Sequence, residues 1–124
     1  MKVKVNIELN QANIKKIQDA MVKALPGTLD AMVTEINNAQ VVPKETGNLE
    51  ESVVTGVENG VGYISYNTPY ARRLYYHPEY NFRQDKNPNA QGRWMDDFIY
   101  GEKKNWLSKT FGKLLKMYSG GVIK

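Results

Sequence analysis

A chain of 124 residues is the size of one domain built on one hydrophobic core. With 41% hydrophobic and 24% charged residues its composition is globular, no apolar run nears the roughly 20 residues of a membrane span, and no cysteine is present to form a disulfide, a thiolate nucleophile or a sulfur-ligated zinc site. The formal charge of +4 is lopsided: residues 1–60 hold six Lys/Arg against eight Asp/Glu, whereas residues 61–124 hold eleven against five. That cationic excess suits an acidic partner, either nucleic acid or a neighbouring subunit, and equally suits a solvated helical face.

From Lys2 to Leu9 apolar and polar residues alternate, which predicts a strand with one wet face; an apolar signal core is absent, so the chain reads as soluble and made in a cytoplasm. Asn10 is placed to cap a helix. Ile14, Ile17, Met21, Leu25, Leu29, Met32 and Ile36 then recur every three or four residues, the stripe of a long amphipathic helix. Pro26-Gly27 interrupts the composition but not the phase of that stripe, which predicts a kinked helix, or two nearly coaxial ones, and not a hairpin. After a turn-rich break at residues 41–48, Asn48 and Glu51 have the spacing of a reciprocal cap over one short helical turn.

Val53, Val54 and Val57, the tip Glu58-Asn59-Gly60, and Val61–Tyr66 read as a β-hairpin, with Val61, Tyr63 and Ser65 on one face and Ile64 and Tyr66 on the other. Thr68-Pro69 predicts a helix entrance, threonine capping and proline at the first helical position, leading into Tyr70–Tyr76. Residues 78–92 form a polar, turn-prone loop of a length that is uncommon unless it binds something or awaits a partner. A last helical stretch runs from about Arg93 to Tyr118, nicked at Gly101. Its second part sets Leu107, Phe111, Leu114 and Tyr118 on one face and Lys109, Lys113 and Lys116 on the other. The tail from Ser119 to Gly121 is expected to fray.

Chemistry finds little footing in this chain. His77 is the lone histidine, and as it precedes proline among tyrosines it reads as a loop residue packing its ring. No GxSxG elbow, HExxH helix or DxDxDG loop occurs. Glu50-Glu51 and Asp96-Asp97 are sequence neighbours whose side chains diverge on a helix, and the glycines at 56, 60 and 62 surround a hairpin, not a phosphate loop. The expectation is a non-enzyme without metal or cofactor. What stands out is a mixture of rings and cations: Tyr70, Arg72, Arg73, Tyr75, Tyr76, Tyr80, Phe82, Arg83, Arg93 and Trp94. Such a mixture serves protein interfaces and single-stranded nucleic acids, and the lack of any nucleic-acid-binding signature favours the interface.

Two segments carry a resemblance. Val42-Pro43-Lys44-Glu45-Thr46-Gly47-Asn48-Leu49-Glu50-Glu51-Ser52 resembles the P-x-x-T-G-x-L-x-x-S signature of phage minor capsid and head-to-tail joining proteins. Tyr70-Ala71-Arg72-Arg73-Leu74-Tyr75-Tyr76 is similar to the Tyr-Ala stretch that follows the hairpin in those families, and Trp94 stands where a tryptophan opens their last helix. The group most resembled belongs to phages and prophages of Gram-positive bacteria and looks related to neck and tail-completion proteins. Where glycines commonly follow the tyrosine pair in the relatives, this chain runs into His77-Pro78.

The resemblance implies one α+β domain over residues 1–124, a small twisted antiparallel sheet packed against the long kinked N-terminal helix, with a C-terminal amphipathic helix. Its motif residues are Pro43, Thr46, Gly47, Leu49, Ser52, Tyr70, Ala71 and Trp94; beside the resemblance, the residue chemistry suits fold-making roles, with Thr46-Gly47 supplying the turn, Leu49 the apolar anchor and Ser52 a local hydroxyl bond. Arg72, Arg73, Tyr75, Tyr76, His77, Tyr80, Phe82 and Arg83 become the candidate interface, and Lys109, Lys113 and Lys116 a face that either lines a DNA channel or is wet surface. The implied role is a structural virion protein, assembled in the host cytoplasm into a ring at the head-to-tail interface. Its partners there would be copies of itself, portal or adaptor and tail proteins, and transiently phage DNA, with no membrane contact. The alternative is a nucleic-acid-binding module using the basic second half.

Overall fold

The computed structural model describes Val3 and residues 11–123; the strand expected over Lys2–Leu9 and the cap expected at Asn10 lie outside the described residues. In chain order come α1 (Gln11–Ala39), α2 (Asn48–Glu51), β1 (Val53–Glu58), β2 (Val61–Tyr66), α3 (Ala71–Tyr75), α4 (Asp96–Ile99) and α5 (Lys104–Tyr118). Among the described residues the architecture is the α+β arrangement expected: a long N-terminal helix, a two-stranded antiparallel sheet and a C-terminal helix.

The apolar stripe of α1 is what gives the domain its spine. Ala20, Ala24, Leu29, Met32 and Ile36 are buried along it, and the helix runs through Pro26 as one element of 29 residues. Proline there withdraws a donor from the Val22 carbonyl, and Val22 is exposed, so solvent can take up that acceptor. α5 packs along α1 in the opposite direction, since Lys103 at its start bonds Glu35 at 3.2 Å while Leu114 near its end lies over Gly27. The hairpin packs on the same helix, with Gly62 against Leu25 and Leu29. Its register pairs Val53 with Tyr66 at the base and Glu58 with Val61 at the tip. Asn59 and Gly60 turn it with φ of 51° and 77°, the left-handed pair that a two-residue hairpin needs.

Several local expectations are corrected. No Asn48–Glu51 reciprocal cap forms: Gly47, at φ 92°, precedes α2 and its carbonyl accepts the Glu51 N–H at 2.9 Å, a conformation that carries the chain in without a side-chain cap. Pro69 does not open α3. The Ala71 N–H closes a turn onto the Thr68 carbonyl at 3.2 Å, and the Thr68 hydroxyl is buried without a hydrogen bond, so helix begins only where Ala71 enters the core. The nick read at Gly101 is a full break: α4 and α5 are parted at residues 100–103, where a side chain on Gly101 would strike Asp97. Tyr118 is exposed instead of sharing the apolar face of α5. Ser119 does not fray: it is buried, its hydroxyl donates to the Lys116 carbonyl at 2.8 Å, and it accepts the Ile123 N–H at 3.1 Å.

A core of Met32, Ile36, Val42, Leu49, Ala71, Trp94 and Phe98 joins α1, the break before α2, α3 and α4 at the base of the hairpin. Every element that carries the resemblance therefore ends in this one cluster.

Candidate interface

The signature segment is folded from the inside. Pro43 is buried and Leu49 is 3% exposed, so the segment plugs the core while Lys44 and Glu50, 3.0 Å apart, close its outer side with an ion pair. Ser52 links helix to sheet, donating its hydroxyl to the Leu49 carbonyl at 2.6 Å and accepting the Asn67 N–H at 3.2 Å. Gly47 turns the chain at φ 92°, Leu49 fills the core, and Ser52 supplies the local hydroxyl bond.

Trp94 is the hub to which α3 and the hairpin are tied. It is 3% exposed, and Tyr66 and Tyr75 meet it edge to face at 5.4 and 4.8 Å between ring centroids. Arg93, left-handed at φ 49°, delivers it: the Arg93 N–H bonds the Tyr75 carbonyl at 2.9 Å and its guanidinium reaches Asp96 at 3.2 Å. Tyr75 donates its hydroxyl to Asp96 at 2.5 Å. Burial, then that carboxylate, hold the Tyr75 hydroxyl well above the ordinary tyrosine range. Burial likewise pushes Tyr66 up to about 12, with the Trp94 N–H offsetting part of the rise and Glu50 adding to it. Tyr66 Oη and Trp94 Nε1 are both buried, and neither makes a hydrogen bond of good geometry.

Of the expected interface residues, Tyr75 thus points into the core. Arg72, Arg73 and Tyr76 are exposed on the opposite side of α3, and Arg93 stacks over Tyr76 at 5.4 Å. His77 stacks flat on Tyr80 at 4.8 Å and shares a 2.7 Å contact with Glu79, which lowers the Glu79 carboxyl. Tyr80 in turn accepts the Arg73 Nε–H at 3.2 Å. Arg83 grips Asp85 through two bonds of 2.8 and 2.7 Å, holding that carboxyl at about 2, and lies 3.6 Å from Glu45. Between α3, the signature segment and residues 80–83 opens a cleft of about 590 Å³.

The long loop proves to be a compact Ω-loop. A Cβ at Gly92 would lie 2.7 Å from the Pro78 Cα, so its two ends touch and only glycine fits there. Asn87, inside the turn-prone loop, is 4% exposed and donates to the Val42 carbonyl at 2.8 Å. The Asn89 and Gln91 N–H groups bond the Gln40 and Val41 carbonyls at 3.2 and 3.0 Å, which holds the left-handed Gln40 in place. Far from this face, Lys109, Lys113 and Lys116 are exposed along α5, and none enters a salt bridge among the described residues.

With this geometry in hand, comparison with known families gives a decisive match: the family model described as minor capsid protein covers residues 2–113, all but the first residue and the last eleven. The chain belongs to the minor capsid protein family. It is a phage minor capsid protein, and that membership gives it a structural role in the virion. Both resemblance segments fall inside the matched span. No curated protein and no solved structure gives a significant match.

Proposed function

We propose that this minor capsid protein acts at the head-to-tail interface, assembling as a ring with the portal or adaptor and with tail proteins, by contact and without chemistry. The observation that carries the reading is the outer side of α3 with the adjoining loop: Arg72, Arg73, Tyr76, Tyr80 and Arg83 stand exposed or half-exposed on a face whose reverse side is locked into the Trp94 core. Arginine and tyrosine are the residues that anchor protein interfaces, and a rigid backing lowers the entropy lost on docking. Ring assembly needs two different patches on each protomer, which a face of this kind supplies in part. Host cytoplasm is where such assembly would take place, before the protein enters the particle.

Light scattering of the purified chain, alone and mixed with the portal and adjacent head or tail proteins encoded beside its gene, tests the reading. Entry into a large complex of ring mass is the expected result, and a chain that ignores those proteins overturns it. The lysine row on α5 favours a second reading, contact with DNA. Lys109, Lys113 and Lys116 lie at four- and three-residue spacing on one stripe. Binding to a DNA oligonucleotide that falls steeply with salt, and that weakens when these lysines become glutamate, is the signature of that reading.

A further inference from the structure

The cleft between α3 and the signature segment contains three cations, and they are not equivalent. Lys44 is paired with Glu50 at 3.0 Å, and Arg83 is paired with Asp85 at 2.7 Å and lies within 3.6 Å of Glu45. Arg73 has no carboxylate among the described residues; its Nε–H meets only the Tyr80 hydroxyl, whose ring lies 5.9 Å beneath the guanidinium. One open cation beside the apolar surfaces of Tyr70, Leu74 and Phe82 suits a single carboxylate carried next to an apolar side chain. It does not suit a nucleic-acid backbone, which would need several uncompensated cations along a track.

The same chain carries that complement at the tip of its hairpin. Glu58 and Val61 are cross-strand partners at the hairpin tip and therefore share one face; both are exposed, Val61 at 66%, and Glu58 has no bonding partner among the described residues. The cleft adjoins the base of the hairpin, since its lining residues Leu49 and Tyr70 fall just before β1 and just after β2. Strands of six residues span about 20 Å, so tip and cleft lie too far apart to meet within one molecule. Complementary patches held apart by the length of the hairpin permit a heterologous, head-to-tail contact between protomers.

We infer that the cleft receives the hairpin tip of the next copy of this chain, Glu58 pairing with Arg73 and Val61 seating against Leu74 and Phe82. The inference rests on the ring reading above and names its protomer-to-protomer contact. The absence of native cysteine makes a direct test clean. Particles are assembled in cells that supply the variant Val61→Cys/Asn81→Cys in place of the native chain and treated with a short bis-maleimide linker. A ladder of covalent multimers is expected on a denaturing gel, absent for either single cysteine. Particles that contain the chain but give no ladder overturn the tip-in-cleft contact and leave the virion role standing. Particles that lack the native chain overturn the ring reading, and this contact falls with it. In parallel, Glu58→Arg is expected to cut incorporation at least tenfold and Glu58→Arg/Arg73→Glu to restore it; lack of rescue counts against the pairing. Purified chain whose binding to a DNA oligonucleotide is lost on Arg73→Glu, yet kept on Lys113→Glu, would assign the cleft to nucleic acid and also overturn the inference.

Discussion

Residues 79–86 and 87–92 belong to one loop of uniform polar character, yet the two halves are held in opposite ways. The first is knitted by side chains at the surface: His77 on Tyr80, His77 to Glu79, Arg83 to Asp85. The second is pinned to residues 39–42 by backbone hydrogen bonds and by Asn87 reaching the Val42 carbonyl. Exposed ion pairs gain little because water competes for both partners, whereas a buried polar group left unpaired keeps its full desolvation cost. The first half is therefore free to serve contact, and the second is part of the fold.

The largest expected effect tests the backing that both halves share. Trp94→Ala removes the ring on which Tyr66 and Tyr75 pack and should cost about 3–5 kcal/mol, read as a fall in the urea midpoint or outright loss of the folded chain. Asn87→Ala comes next: it leaves the buried Val42 carbonyl without its donor, and a loss of about 1–3 kcal/mol is expected. Limited proteolysis should then cut within residues 87–92 as readily as in 79–86, erasing the difference between the halves.

A pH effect is expected from the tyrosines behind the loop. Tyr66 ionises at about 12 in the folded chain and near 10.0 when unfolded. A raised value means its contribution is fully present below pH 10 and is lost as pH climbs from about 10 to about 12. Thermal melts across that window should fall, and Tyr66→Phe should flatten the fall while leaving neutral-pH stability unchanged or slightly higher, because the hydroxyl lacks a good hydrogen bond. The smallest effect belongs to the first half of the loop. Arg83→Ala, at an exposed ion pair, should leave the urea midpoint where it is, and a clear drop would show that residues 79–86 also support the fold.

Much of the architecture was legible in residue spacing. The seven-residue stripe from Ile14 to Ile36 located α1, the Asn59-Gly60 pair located the hairpin turn, and Gly101 marked the division between the last two helices. Each is a local rule, set by helical period, positive φ or a missing side chain. The candidate interface was legible only as a composition. Tyr75 and Tyr76 are neighbours of the same type, yet one bonds Asp96 beside Trp94 and the other is exposed, because α3 is one short helix whose Ala71 side is drawn into the core.

Thus the sequence alone determined the order and kind of the elements and the family motifs, since those depend on contacts a few residues apart. Tertiary structure decided what near neighbours cannot: that Asn87 is buried, that Ser119 is capped, that Arg73 alone of the cleft's cations lacks a carboxylate among the described residues, and that the cleft adjoins the base of the hairpin and not its tip. Burial and charge compensation are set by residues tens of positions away, such as Val42 for Asn87 and Glu45 for Arg83. Those pairings exist only once α1, the hairpin and the Trp94 core have closed around them.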